Sequence, residues 1–173
     1  MLNSDLILVR HGENEIDFNK ENRLLTLSEE GIKQAKKVRD ILEGKIDVVI
    51  SSTSLRSMLT ALLIAPDKNI ICDNNLLECG WGNKMHDGSE TDLESFIRVK
   101  TVFEKYINLY PDKRILIVFH GSLMKLAQNY IENKSFDYER DSVDNCDTIF
   151  YSKEGTKKYI KVAEQTAFKK NNQ

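Results

Sequence analysis

Residues 7–15 read ILVRHGENE, and the interpretation of the whole chain starts from this stretch. Apolar residues run directly into Arg10, His11 and Gly12, without an Asn-Gly or Pro turn between them. A short strand that is apolar throughout is typical of a parallel sheet whose two faces are both covered. Because this strand ends on a cation and a titratable ring, its end is either an ordinary strand terminus or the floor of an anion site.

Strand and helix patterns alternate along the rest of the chain. Strands are predicted at residues 5–10, 46–51, 69–72 and 114–119, and helices between the Ser28 cap and Gly44 and at 55–65, 91–110 and 121–133. Two last strands, within 146–152 and 157–162, flank Glu154-Gly155, which is a hairpin signal. This order predicts a three-layer α/β/α sandwich with a mainly parallel central sheet and antiparallel edge strands.

The predicted helix at 91–110 carries apolar residues that we expect on one buried face, namely Leu93, Phe96, Phe103 and Ile107. A length of 173 residues suggests one domain over residues 1–173, with residues 163–173 as a frayed tail.

Composition limits the classes of partner and compartment. The net charge is −2, so no general attraction to nucleic acid or to an acidic membrane is expected. Three cysteines without a Cys-x-x-Cys pair indicate reduced thiols in the cytoplasm. The chain start lacks the basic region of a signal peptide, and the longest apolar stretch, residues 59–66, is too short to span a bilayer. No feature indicates an oligomeric state.

Basic side chains follow three of the predicted strands. The first strand ends at Arg10-His11, the second leads to Arg56 one turn into the next helix, and the strand at 114–119 ends at His120. In parallel sheets, ligands bind outside the carboxyl ends of the strands. Gly12 and Gly121, which follow the two histidines, let the backbone approach a ligand or turn into a helix. Cations and helix N-termini gathered at one edge predict a phosphate site.

Two kinds of group at this edge suggest phosphoryl chemistry. An imidazole attacks phosphorus if one ring nitrogen is unprotonated and the other is hydrogen-bonded. A carboxylic acid with a raised pKa then protonates the leaving oxygen, and the candidates are Glu13 and Glu78. Glu78 is equally an ordinary surface-loop residue, and Ser51 and Ser52 read as turn or cap residues.

Trp81 and His86 follow Glu78 in a glycine-rich loop. They either line a substrate cleft or serve the loop itself, with Trp81 packed on the sheet edge and His86 exposed. Both interpretations fit the local sequence.

Several segments resemble, in order, the motifs of the histidine phosphatase superfamily, also called phosphoglycerate-mutase-like. The segments are LVRHGEN (8–14), LSEEGIKQA (27–35), SSTSLRSMLTA (51–61), LLECGWG (76–82), VFHGSLMKL (118–126) and NCDT (145–148). Arg-His-Gly alone is a weak signal, whereas this ordered series over residues 6–149 is specific.

The resemblance implies a role for each matching residue. His11 would be the nucleophile that becomes phosphohistidine, while Arg10, Arg56 and His120 would complete the phosphate pocket. Glu78 would donate a proton to the leaving group. No metal or other cofactor would be required.

Several positions depart from the family pattern, among them Thr53, Ser57 and Leu59 around Arg56. Asn14 replaces Thr or Ser, and its amide could still donate to phosphate. Asp17 replaces an Asn, and we expect its carboxylate to point away from the phosphate. Phe119 replaces Ser before His120, and we expect it to alter the pocket.

The sequence therefore predicts a metal-independent phosphatase that acts on a small phosphorylated substrate, with His11, Glu78, Arg10, Arg56 and His120 as catalytic residues. Asn14, Gly121, Trp81 and His86 are the candidate substrate-binding residues. The alternatives are a phosphoglycerate-type phosphomutase and a non-catalytic module that binds a phosphorylated ligand. Loss of His11 or Glu78 would mark the module, and both residues are present.

Overall fold

A six-stranded sheet lies between two pairs of helices. The computed structural model describes residues 2–42, 46–79, 90–135 and 143–162, so the predicted tail at 163–173 and the predicted helix end at Gly44 lie outside the described residues. The strands are β1 (Asp5–Arg10), β2 (Val48–Ser52), β3 (Ile70–Asp73), β4 (Arg114–Phe119), β5 (Thr148–Tyr151) and β6 (Lys157–Ile160). The helices are α1 (Glu29–Ile41), α2 (Leu55–Ile64), α3 (Asp92–Leu109) and α4 (Gly121–Ile131). Within these ranges, no helix combines the length and the apolar character needed to cross a membrane.

The strands follow the order β3-β2-β4-β1-β5-β6 across the sheet. The first four in this order are parallel, whereas β5 pairs antiparallel with β1 and β6 pairs antiparallel with β5. The predicted fold class is therefore confirmed. Several boundaries differ from the prediction by one or two residues; for example, β2 begins at Val48, and α4 ends at Ile131, before Asn133 adopts a left-handed φ of 53°.

Both faces of the sheet are covered, which explains the unbroken apolar run in β1. Leu6 and Leu8 pack into one core with residues of α3 and α4, while Ile7 and Val9 pack into a second core with residues of α1 and α2. Successive strand residues point to opposite faces, so a strand buried on both sides is apolar at every position.

The face that α3 buries differs from the predicted one at its start. Ser95, Val99, Val102, Phe103, Tyr106 and Ile107 are buried. Leu93, in contrast, is 46% exposed. A helix rotates about 100° per residue, so Leu93 lies on the same side as Lys100 and Glu104, which face solvent.

The register of the central strands aligns the ends that carry the basic residues. Arg10 of β1 lies opposite Phe119 of β4, so His11 and His120 leave the sheet at the same level. Ser51 of β2 lies opposite Val118, one residue earlier in β4. The strands thus deliver their following residues to one edge, as the sequence predicted.

The loop after β1 packs backbone against backbone on the start of α1. A Cβ on Gly12 would lie 2.6 Å from the Gly31 oxygen, and a Cβ on Gly31 would lie 2.0 Å from the Glu13 oxygen. The Ser28 hydroxyl caps α1 by accepting from the Gly31 N–H, and the Ser28 N–H donates to the Glu13 oxygen at 2.9 Å. Gly12 is therefore required by helix packing, whereas the sequence suggested approach to a ligand or a turn into a helix.

Replacing Gly31 by Ala should lower the free energy of unfolding by about 2 kcal/mol or more, because the new methyl group overlaps the Glu13 backbone. Chemical denaturation measures this change. Lys36→Ala, at an exposed position of the same helix, is the matched control. Equal stability of the two variants would contradict the proposed backbone packing.

Candidate active site

The ends of β1 and β4 bring the two predicted histidines together. The His11 N–H donates to the Phe119 oxygen at 2.9 Å, which ties the two strand ends. The His11 and His120 ring centroids lie 5.1 Å apart, with an angle of 69° between the ring planes. The predicted convergence of these residues is thus present in the structure.

His11 is buried and holds one defined tautomer. Its Nδ1 lies 2.8 Å from the Gly12 oxygen. A carbonyl oxygen can only accept, so Nδ1 carries the proton and Nε2 presents a lone pair. Burial, followed by the positive charge of Arg56, lowers the pKa of His11 from 6.5 to about 3. The ring is therefore neutral at physiological pH, as a nucleophilic imidazole must be.

Arg56, in the first turn of α2, connects both rings with the loop after β1. Its Nε donates to His11 Nε2 at 3.1 Å and its Nη2 lies 3.4 Å from His120 Nδ1. Its Nη1 donates to the Asn22 oxygen at 2.7 Å. The side chain is 5% exposed, so this cation is held almost entirely inside the protein.

His120 is also neutral, in the opposite tautomer. Because Nδ1 faces the Arg56 donor, Nε2 carries the proton, and it lies 3.0 Å from the Ser52 hydroxyl. The Ser54 hydroxyl lies 3.4 Å from the same nitrogen. Burial, together with the positive charge of Arg56, lowers the pKa of His120 well below its ordinary value.

Arg10 adds a second guanidinium beside the first. Its Nη1 donates to the Val143 oxygen. Its Nε is buried and has no hydrogen-bond partner within the part of the chain that the structure describes. A buried N–H of this kind is suited to an anionic oxygen. Gly121 lies against this side chain, since a Cβ there would be 3.5 Å from Arg10 Nε.

Glu78 is the carboxylate that shares the site with the two arginines. Its Oε1 accepts from the Cys79 N–H at 3.0 Å, and the backbone of Ser122 at the start of α4 also binds it. Burial raises the pKa of Glu78, while these hydrogen bonds and the two arginines act against the increase. Burial lowers the pKa of Arg10 and Arg56, and Glu78 is the strongest influence that raises both.

Glu13, the other candidate acid, serves the fold of the loop. It is exposed, and its Oε1 accepts from the Ser28 hydroxyl at 2.7 Å, at the N-terminus of α1. The structure therefore favours Glu78 between the two carboxylates.

The other predicted residues either bind within their own loop or lie outside the described residues. The Asn14 amide donates to the Glu15 oxygen at 2.7 Å. The Asp17 carboxylate accepts from the Asn19 N–H at 3.0 Å and lies 3.5 Å from Lys20 Nζ, within its own loop. Trp81 and His86 lie outside the described residues.

The Phe119 side chain faces the core. Its ring is fully buried in the core, 6.0 Å from that of Phe103, and only its backbone oxygen reaches His11.

Sequence reasoning missed the side chains that hold the residues around His11, Arg56 and His120. The Thr60 hydroxyl accepts from the Gly12 N–H at 3.0 Å and donates to the Arg56 oxygen at 2.7 Å. The Asn145 amide donates to the His11 oxygen at 3.0 Å. Ser52, which reads as a turn residue, contacts His120. Since hydroxyls and amides are common in turns, only a match to a family motif could have identified them.

The described residues contain no group of three or more His, Cys, Asp or Glu side chains placed to hold a metal ion. The positive charge of this site comes from Arg10 and Arg56. Such a pair of guanidinium groups suits a tetrahedral oxyanion, which both can bind through several N–H groups.

Comparison with known proteins agrees with this geometry. Residues 6–95 match the family model of the histidine phosphatase superfamily (branch 1). Over 107 residues the chain is 37% identical to phosphoserine phosphatase 1 from Hydrogenobacter thermophilus, and this match covers 58% of the chain but only 46% of that relative. The chain thus matches less than half the length of this relative.

Solved structures share the fold. A phosphoserine phosphatase from Entamoeba histolytica, in complex with 3-phosphoglyceric acid, superimposes with a TM-score of 0.74 at 20% identity, over 94% of this chain and 98% of that one. A putative alpha-ribazole-5'-P phosphatase from Escherichia coli gives a TM-score of 0.72 at 18% identity, over 93% and 96% of the two chains. At such identities the likeness concerns the fold.

The pH dependence of stability tests the neutral state of His11. Between pH 6.5 and about 3 the unfolded chain binds a proton at this residue and the folded chain does not, so folding stability falls as the pH decreases through this window. His11→Gln should flatten this dependence by about 1 kcal/mol per pH unit. Urea unfolding in phosphate-free buffer measures it.

His120 remains in the variant and keeps a dependence of the same sign. Above pH 7.5 the two proteins should show the same slope, which serves as the internal control. An unchanged slope in the acid window would show that His11 is protonated in the folded state.

Proposed function

Since the chain belongs to the histidine phosphatase superfamily, we propose that it hydrolyses a small phosphomonoester without a metal, through a phosphohistidine on His11. The observation that carries this proposal is the neutral His11 ring, whose Nε2 lone pair faces the Arg56 guanidinium while Nδ1 is anchored on the Gly12 oxygen. This tautomer is the one that nucleophilic attack by Nε2 requires.

In the first step, the Nε2 lone pair forms a bond to phosphorus as the bond from phosphorus to the ester oxygen breaks. The proton stays on Nδ1, and the Gly12 oxygen accepts from it while positive charge develops on the ring. The Arg56 Nε–H that donates to Nε2 gains a phosphate oxygen as its acceptor. Arg10 and Arg56 stabilise the charge on the equatorial oxygens, which is the main requirement of phosphoryl transfer.

Glu78 completes both steps by moving a proton. In the protonated form, which burial favours, it donates to the departing ester oxygen. The resulting carboxylate then takes a proton from water, whose oxygen attacks phosphorus as the bond to Nε2 breaks. Inorganic phosphate leaves, and both His11 and Glu78 return to their starting states.

The support for a small substrate comes from the relatives and from the chain itself. The named relatives are phosphatases of phosphoserine and of alpha-ribazole-5'-P, which are small phosphomonoesters. The 21 residues between Arg56 and Glu78 are occupied by the rest of α2, by β3 and by a 3₁₀ turn at Asn74–Leu76. No inserted segment lies within this stretch to enclose a phosphorylated intermediate, which favours transfer to water over the mutase alternative.

We place this activity in the cytoplasm. Cys72, Cys79 and Cys146 are all free thiols, as expected for a reducing compartment. With a net charge of −2, the partner that we propose is a phosphorylated metabolite, and neither nucleic acid nor a membrane surface.

His11→Ala should abolish release of inorganic phosphate from p-nitrophenyl phosphate, because the variant lacks the Nε2 lone pair that forms the bond to phosphorus in the proposed first step. A phosphate-release assay measures the rate, and the circular dichroism spectrum shows whether the variant is folded. Normal turnover by a folded His11→Ala protein would refute the phosphohistidine mechanism. Wild-type protein that binds phosphate without releasing any from esters would support the binding-module alternative.

EDTA should leave the rate of the wild-type protein unchanged, because the charge that stabilises the transition state comes from Arg10 and Arg56. Steady-state assays before and after chelation and gel filtration measure this. Addition of magnesium or zinc to the treated enzyme is the control. Activity that is lost with EDTA and regained with a divalent metal would contradict the metal-independent mechanism.

A further inference from the structure

We propose that Arg98 of α3 is a positioning residue that holds Glu78 in place for proton transfer. The inference rests on the proposed function, since it concerns the residue to which that function gives the role of acid. Arg98 itself lies outside the group of side chains that would contact the phosphate.

The Arg98 side chain binds the backbone immediately before Glu78. Its Nη1 donates to the Asn75 oxygen at 2.6 Å and to the Leu77 oxygen at 3.0 Å. Leu77 is the residue directly before Glu78, so this guanidinium fixes the peptide from which the acid projects.

An ion pair with Glu90 fixes Arg98 in turn. Its Nε and Nη2 donate to the two carboxylate oxygens of Glu90, each at 2.7 Å. The two side chains are only 11% and 10% exposed. A two-point pair of this kind sets the plane of the guanidinium as well as its position. The remaining nitrogen is thereby aimed at the two backbone oxygens.

The segment that carries Glu78 needs such support because the sheet does not provide it. β3 ends at Asp73, and the chain then forms only the 3₁₀ turn at Asn74–Leu76 before Glu78. A second contact with α3 exists further from the acid, where the Tyr106 hydroxyl donates to Asp73 Oδ2 at 2.8 Å. Side chains of α3 thus hold this segment at two places, with Lys105 and Tyr106 at Asp73 and with Arg98 beside Glu78.

A displaced acid affects substrates unequally. An alkyl phosphate has a poor leaving group that needs a proton from Glu78, whereas p-nitrophenolate leaves without one. Misplacement by about 1 Å can cost a factor on the order of 10² in rate. Loss of Arg98 should therefore lower hydrolysis of alkyl esters selectively, while a general loss of structure would lower both alike.

The experiment compares kcat/KM for O-phosphoserine and for p-nitrophenyl phosphate in four variants. Glu78→Gln gives the reference pattern for a missing acid. Arg98→Met should lower the ratio of the alkyl to the aryl rate by about tenfold or more, in the direction of Glu78→Gln. Arg98→Lys keeps the charge without the planar fork and should give an intermediate ratio. Tyr106→Phe, at the other contact, should leave the ratio unchanged.

Each result decides one question. Equal losses on both esters, or no loss on either, would overturn the positioning role. If Arg98→Met does not fold, Arg98→Lys decides the question by the same ratio. A wild-type protein that hydrolyses neither ester, or a His11→Ala variant that remains active, would overturn the proposed function instead. A wild type that depends on His11 and Glu78 together with an unselective Arg98 variant would remove this inference alone.

Discussion

The buried guanidinium of Arg56 constrains everything around it. Removing a cation from water costs free energy unless hydrogen bonds or charges compensate. Here its N–H groups reach two imidazole nitrogens and one backbone oxygen, and none of these acceptors carries a charge. A proton on the nitrogen of either ring that faces Arg56 would meet an N–H donor and a positive charge. Both histidines are therefore held neutral, with their protons on the nitrogens that point away.

This arrangement costs free energy of folding and leaves the site ready to bind an anion. With Arg10 beside Arg56, two cations lie near neutral rings. Glu78 is the carboxylate whose charge acts most strongly on both. In the proposed reaction, a phosphate group would supply the missing negative charge and accept hydrogen bonds from the N–H groups directed at the site. Preorganised donors do not need to reorient during the reaction, which is why such sites stabilise transition states better than water does. The same burial keeps Glu78 protonated more readily than an exposed acid.

The sequence predicted the positions of the site residues better than those of the side chains that hold them in place, for a physical reason. Strands buried on both faces are unbroken apolar runs, and the ends of parallel strands meet at one edge, so Arg10, His11 and His120 could be placed together from pattern alone. Gly12 was expected to let the backbone approach a ligand or turn into a helix, but it packs against Gly31, nineteen residues later in a helix whose packing the sequence does not specify. Leu93 and Phe119 show the same limit, because helix rotation and sheet facing decide their surroundings. Ser52 and Asn145 became functional neighbours only through tertiary contacts.

The side chains that hold the site all act in the same way, which explains why local sequence does not show them. Each reacting group projects from a short, irregular stretch of backbone, and a side chain from another element binds that stretch. Asn145 holds the His11 oxygen, Thr60 holds the Gly12 N–H, and Arg98 holds the Leu77 oxygen. Loop backbone that carries chemistry has few strand partners to fix it, so its precision must come from hydrogen bonds across the fold. Under the proposed function, residues that never contact the phosphate would therefore set the geometry of the reacting groups.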